Sequence, residues 1–262
     1  MLIAPGSITQ SEMTTPDRPT CLFLHGFTNT GHSWAPVIGR LGDRCRSIAP
    51  DIRGHGDAAD AVPVDLEHVI ADVDRVAPRR FVLVGYSMGG RIALHAALAL
   101  KPRIERLVLI GASPGISDPG ERAQRRAADD RLAGEIERST IEQFAASWAR
   151  TPVLSGQPPE VAAAVQTDRL RNRPAGLARA LRGLGTGALP SLWSCLDQVA
   201  APTTLLVGER DQKFTDIASA MAAQIGGAEV VIVPGSGHAA HLEAPAEVAE
   251  IIAGSVAVTD AA

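Results

Sequence analysis

The sequence predicts one α/β domain built on an open, mostly parallel central sheet with helices on both faces and a helical insertion. Three observations carry this reading. Short runs rich in Val, Leu and Ile recur along the chain, amphipathic segments separate them, and one long helical stretch interrupts the alternation. Near-continuous apolar runs suit strands covered on both faces. Strand alternating with helix is the pattern of a parallel sheet. A chain of 262 residues can bury one sizeable core and still carry an insertion.

Taken in order, the strand candidates are TCLFLHG (20–26), RSIAP (46–50), RFVLVG (80–85), RLVLIG (106–111), TTLLVG (203–208) and EVVIVPG (229–235). Helical periodicity appears over 65–76, 88–100, 217–225 and 245–252. Between about Ile116 and Val199 no comparable strand run occurs. That stretch holds ERAQRRAADDRLAGEIER, TIEQFAASWAR and PPEVAAAVQTDRLRN, punctuated by proline and glycine. It reads as a helical lid at 116–199, inserted into a core formed by 1–115 and 200–262, because the strands on either side resume one sheet pattern.

Composition narrows the partners. With 45% hydrophobic and 21% charged residues the chain is an ordinary soluble globular sequence. A net charge of −4 gives no reason to expect nucleic acid or an anionic membrane as partner. Cys21, Cys45 and Cys195 are odd in number and widely spaced, which argues against a disulfide framework or a structural zinc. The opening MLIAPGSITQSEM has neither a basic n-region nor a long apolar run, so a cytoplasmic location is expected. Lysine occurs only at Lys101 and Lys213, and arginine supplies the remaining basic residues. Arginine is the better residue for gripping carboxylates with two parallel hydrogen bonds.

The chemistry centres on GYSMGGR (85–91), a G-x-S-x-G pattern lying between a strand and a helix. That context exposes a serine hydroxyl on a sharp turn at the top of a sheet, and the bare Gly85 and Gly89 let the turn form. The pattern then requires Asp or Glu, followed by His, further along the chain. LLVGERDQKF places Asp211 just past one strand, and VVIVPGSGHAAH places His238 just past the last. Glu209 competes as orienting carboxylate, and Asp211 is preferred because it lies further into the loop. His241 competes as base, but it falls where the next helix begins. An oxyanion hole would take one backbone N–H from Met88, the residue after the serine, and the other from Phe27 in HGFTNTGHSW. The His25 side chain reads as a brace for that loop, and DIRGHG (51–56) as loop architecture.

With HGF, D-x-R-G-H-G, GYSMGG, GERD and GSGH in this order, the chain resembles the α/β-hydrolase superfamily along nearly its whole length. Its lid segments SPGISDPGERAQRRAADDRLA, FAASWARTPVLS and DRLRNRPAGLARALRGLGTGALPSLW, together with GYSMGGR, look like those of the 2-succinyl-6-hydroxy-2,4-cyclohexadiene-1-carboxylate synthases of menaquinone synthesis. That resemblance implies a lyase that expels pyruvate from a polycarboxylate ring, with Ser87, His238 and Asp211 as proton-handling triad and no metal or organic cofactor. It further implies Arg91, Arg125 and Arg171 as carboxylate-binding arginines, Arg126 being the alternative register for Arg125, and Tyr86 and Trp148 as pocket residues. Leu154 stands where related enzymes can carry an aromatic. The competing expectation is a serine carboxylesterase or C–C bond hydrolase of the same fold.

Overall fold

A computed structural model of the chain describes residues 18–154 and 156–257. The readings made on MLIAPGSITQSEM, and on most of the terminal SVAVTDAA, lie outside them. Six strands form one sheet, β1 (Thr20–Leu24), β2 (Arg46–Ile48), β3 (Phe81–Tyr86), β4 (Ile104–Ile110), β5 (Thr203–Gly208) and β6 (Glu229–Val233). Their spatial order is β2-β1-β3-β4-β5-β6, and every neighbouring pair is parallel.

Each central strand is apolar on both faces, and the two sets of side chains enter different cores. Leu22 and Leu24 of β1, Leu83 of β3, Leu107 and Leu109 of β4 and Leu205 and Val207 of β5 point one way. There they meet α2 (Leu66–Val76), α3 (Met88–Ala99) and α8 (Gln212–Ala222). Cys21 and Phe23, Val82 and Val84, Val108 and Ile110, and Leu206 point the other way. They pack on α1 (Ala35–Leu41), α9 (Ala240–Glu243) and α10 (Pro245–Ala257). A side-chain period of two, with both phases apolar, therefore places helices on both sides of the sheet.

Two helices depart from the sequence reading. Periodicity alone puts one at 217–225, yet α8 begins at Gln212, because the Asp211 carboxylate caps it by accepting from the Phe214 N–H at 3.5 Å. The short α1 has only Val37 and Leu41 buried, too few to show a period in the sequence.

Four helices fall between β4 and β5: α4 (Pro119–Glu137), α5 (Ile141–Trp148), α6 (Pro159–Arg169) and α7 (Pro174–Leu184). Capping explains several of their ends. Asp118 accepts from the Glu121 N–H at the start of α4, and Thr140 with Gln143 forms a reciprocal capping box on α5. Pro174 opens α7 where no intrahelical donor is needed. The insertion has its own small core, Ala133, Ile136, Phe144, Leu177, Ala178 and Leu181, bordered by Phe27 and Trp148. Bare glycines seat α7 on the connection between β2 and α2: a Cβ on Gly176 would lie 2.5 Å from the Gly54 oxygen, and one on Gly183 only 1.8 Å from the Val64 oxygen. Among the described residues, no helix is long and apolar enough to cross a membrane.

Candidate active site

The turn from β3 into α3 lifts Ser87 above the carboxyl ends of the strands. Ser87 adopts φ 52°, ψ −109°, a conformation few L-residues take, at the N-cap of α3. Such backbone strain persists only where the surroundings enforce it. Here the enforcement is close packing, since a Cβ on Gly85 would lie 2.5 Å from the Gly89 oxygen and one on Gly89 2.2 Å from the Leu24 oxygen.

Three loops converge on this turn. His238, after β6, has its Nε2 3.2 Å from Ser87 Oγ and its Nδ1 2.6 Å from Asp211 Oδ2. With Nδ1–H donated to the carboxylate, Nε2 presents its lone pair to the serine hydroxyl. His238 is 8% exposed, sits over bare Gly111, and meets the Phe214 ring at a tilt of 46°, with centroids 4.5 Å apart. Glu209 points elsewhere and accepts the Gly235 N–H at 2.8 Å. His241 lies buried between Trp34 and Tyr86, at 4.5 and 4.2 Å, with neither ring nitrogen hydrogen-bonded. Burial, with His238 nearby, pulls its pKa down to about 3, so the ring stays neutral.

Ser87, Met88, Phe27 and His238 line one cavity of about 450 Å³. Met88 N–H belongs to the first turn of α3, where no intrahelical acceptor exists. Phe27 follows Gly26 in a tight turn closed by the Asn29 N–H on the Gly26 oxygen, at 3.1 Å. Beneath that turn, His25 Nε2 accepts the Ile52 N–H at 2.9 Å, and the ring meets His55 edge-on at 4.9 Å. Burial depresses these two imidazoles to about 4 and about 3, so they brace the loop as neutral rings.

The same cavity gathers positive charge. Arg91, one turn into α3, is 9% exposed, and its Nε has no hydrogen-bond partner. Burial, and then the neighbouring Arg125, lowers its pKa to about 10, which leaves it charged at neutral pH. Arg125 reaches the cavity from α4 and is held by Asp129, Nε to Oδ1 at 2.7 Å. Arg126 faces a separate groove with Ala123 and Asp130. Trp148 closes one wall, edge-on to Phe27 at 5.3 Å. Tyr86 lines a smaller adjoining space of about 70 Å³ that shares Phe27, Ser87, Trp148 and His238 with the main cavity.

One expected residue is elsewhere. Arg171 lines neither space; it is half-exposed and stands 3.9 Å from Asp168 Oδ1. The turn after α6 carries it outward, and Arg169, two residues earlier, takes the inward position. Arg169 is 2% exposed, lines the smaller space, and donates from Nε to Thr28 Oγ1 at 3.3 Å. Lys213, at the start of α8, also lines the cavity and makes no ion pair among the described residues. The scarcity of lysine was the only sequence signal that could have drawn attention to it.

A parallel sheet, a strained serine turn at its carboxyl edge and a Ser–His–Asp constellation assembled from three loops together describe an α/β hydrolase. The alpha/beta hydrolase family model matches residues 21–251, and the chain belongs to that family. A Salmonella typhimurium protein named 2-succinyl-6-hydroxy-2,4-cyclohexadiene-1-carboxylate synthase is 34% identical over 246 residues, which is 91% of this chain and 94% of that one. A Bacillus subtilis protein, named provisionally for the same synthase, is 35% identical over 85% of this chain and 84% of its own. The solved structure of MenH from S. aureus superposes with a TM-score of 0.87 at 31% identity, covering 92% of this chain and 94% of that one. Within the hydrolase fold, then, the chain belongs to the family of 2-succinyl-6-hydroxy-2,4-cyclohexadiene-1-carboxylate synthases.

Proposed function

We propose that the protein eliminates pyruvate from 2-succinyl-5-enolpyruvyl-6-hydroxy-3-cyclohexene-1-carboxylate to give 2-succinyl-6-hydroxy-2,4-cyclohexadiene-1-carboxylate, a step of menaquinone synthesis. The observation that carries this reading is a serine–histidine pair sharing its cavity with Arg91 and Arg125. The buried Arg91 guanidinium is costly opposite an apolar ester and favourable opposite a carboxylate, and the half-exposed Arg125, paired with Asp129, adds a second cation at the cavity. The names of the relatives support the same substrate.

In this mechanism Ser87 Oγ takes the ring proton alpha to the succinyl ketone while His238 Nε2 accepts the serine proton. Asp211 holds the resulting imidazolium in place. Negative charge gathers on the ketone oxygen, where the Phe27 and Met88 N–H groups meet it, each worth about 3 kcal/mol to such a charge. The electron pair released by the broken C–H bond becomes a new ring double bond. The existing ring double bond shifts by one position, and the C–O bond to the enolpyruvyl group breaks. That group leaves as enolpyruvate and takes up a proton to become pyruvate. Arg91, Arg125 and Arg169 bind the substrate carboxylates, Tyr86 and Trp148 shape the walls, and the helical insertion serves as lid.

Coupling the preceding pathway enzyme to this protein and following pyruvate tests the reading, with the rate of unassisted decay subtracted. Pyruvate release should depend on Ser87, and Ser87→Ala should slow it at least about 100-fold, the usual worth of general acid–base catalysis. The same triad geometry also suits acyl transfer, and a thermophilic esterase from Thermogutta terrifontis shares the fold at a TM-score of 0.77 and 25% identity. Efficient nitrophenyl ester hydrolysis with no pyruvate release would favour that second reading instead.

A further inference from the structure

We infer that Asp168 is a positioning residue for the oxyanion hole, and that the segment 168–172 of the helical insertion sets the geometry of the loop carrying Phe27. The inference rests on the proposed role of the Phe27 N–H. It does not depend on which substrate is turned over.

The observation is a buried polar clamp between two distant stretches of chain. Asp168, at the end of α6, is 7% exposed. Its Oδ2 accepts the Thr30 N–H at 2.9 Å and the Asn29 Nδ2–H at 3.4 Å, and its Oδ1 accepts the Thr30 hydroxyl at 2.5 Å. Two residues further along the chain complete the clamp. Asn172 donates from Nδ2 to the Thr28 carbonyl at 2.8 Å, while its Oδ1 accepts the Gly56 N–H at 3.1 Å. Arg169 donates to the Thr28 hydroxyl at 3.3 Å. Thr28, Asn29 and Thr30, the three residues following Phe27, are therefore each bonded to 168–172.

The clamp holds a conformation the loop would not choose. Thr28 sits at φ 69°, in the left-handed region. For a β-branched residue this region is a genuine outlier that persists only when neighbouring contacts over-determine it. The Thr28 peptide directly follows Phe27, so relaxing its φ would swing the neighbouring peptide planes and re-aim the Phe27 N–H. A donor displaced from the developing charge loses much of its effect, because preorganisation is what gives it value. Arg169 lies in the same segment and lines the smaller space adjoining the cavity, so the group proposed to grip a carboxylate and the groups that aim the donor share one short piece of backbone.

Two assays separate this inference from the reading of the substrate. The first is pyruvate release by Asp168→Asn, Thr30→Val and Thr30→Ser. The second is the rate at which diisopropyl fluorophosphate labels Ser87. There the serine oxygen attacks phosphorus, fluoride leaves, His238 takes the hydroxyl proton, and the phosphoryl oxygen occupies the oxyanion hole. Asp168→Asn and Thr30→Val should lower kcat and the labelling rate by roughly 10- to 100-fold, with KM changed less than about threefold. Thr30→Ser keeps the hydroxyl and should stay within about threefold of wild type. Wild-type labelling rates in Asp168→Asn and Thr30→Val would overturn the inference. So would equal losses in Thr30→Ser and Thr30→Val, or losses that simply track the folded fraction measured by circular dichroism. If wild-type protein labels readily but releases no pyruvate, the substrate reading fails, and the labelling series alone decides the clamp.

Discussion

Arg91→Met should make the protein more stable and less active at once. The guanidinium is 9% exposed, its Nε is unbonded, and it forms no ion pair among the described residues. Burial first and Arg125 second, with Asp129 opposing, push its pKa well below the ordinary arginine value, to about 10. At about 1.4 kcal/mol for each tenfold change in proton affinity, keeping the charge in place costs folding roughly 3 kcal/mol. Methionine occupies similar space without the charge, and replacing unpaired buried ions with apolar side chains often stabilises. Part of the gain will be lost to imperfect packing, so a net stabilisation of about 1–3 kcal/mol is expected. In a chain of this size that is a Tm rise of roughly 2–10 °C. A charge-assisted hydrogen bond to a substrate carboxylate is worth about 1.5–3 kcal/mol, so kcat/KM for pyruvate release should fall roughly 10- to 150-fold. Thermal melts and steady-state kinetics on one preparation give both quantities. A lower Tm together with unchanged kcat/KM would refute the reasoning, because Arg91 would then be a structural residue and not a binding one.

The two arginines at the end of α6, Arg169 in its last turn and Arg171 just past it, should separate cleanly. Arg169→Gln is expected to raise KM for elimination about 10-fold or more, whereas Arg171→Gln should stay within about twofold, both read from initial rates. Lys213→Met should raise KM severalfold and flatten the dependence of kcat/KM on ionic strength, since an unpaired cation at a cavity attracts anionic substrate through a screened field. Stability should fall as pH drops below about 6.5. His25, His55 and His241 bind a proton near pH 6.5 when unfolded, but only at about 4, 3 and 3 when folded. Their neutral burial thus contributes fully above pH 6.5 and is lost toward pH 3–4, each group adding a slope approaching about 1.4 kcal/mol per pH unit. Urea unfolding across pH 5–8 measures this slope, and a flat profile would contradict the assignment of buried neutral rings.

The sheet was legible because its signal is local: both phases of each central strand are apolar, and no other arrangement buries such a run. The serine turn was legible for a similar reason, as its glycines and flanking elements are contiguous in the chain. Choosing Asp211 over Glu209 needed only the length of a loop. Residues whose role depends on packing were harder to read. Arg169 and Arg171 both lie in DRLRNR, and their facing is set by where α6 stops and how Asn172 turns back onto Thr28 and Gly56. Sequence spacing cannot supply that facing. Asp168 likewise reads as a solvated helix-end carboxylate, and only the tertiary contact with Thr30 reveals it as buried.

The distance in sequence between Ser87 and its base also bears on synthesis. The hydrogen bond joining them spans 151 residues; Asp211 follows β5, the fifth strand, and His238 follows β6, the sixth. A ribosome emits Ser87 on an emerging strand long before any base can reach it. Until β5 has docked on β4 and β6 on β5, neither Asp211 nor His238 has a fixed place beside the serine. The constellation proposed to activate Ser87 therefore comes together only as the sheet is completed.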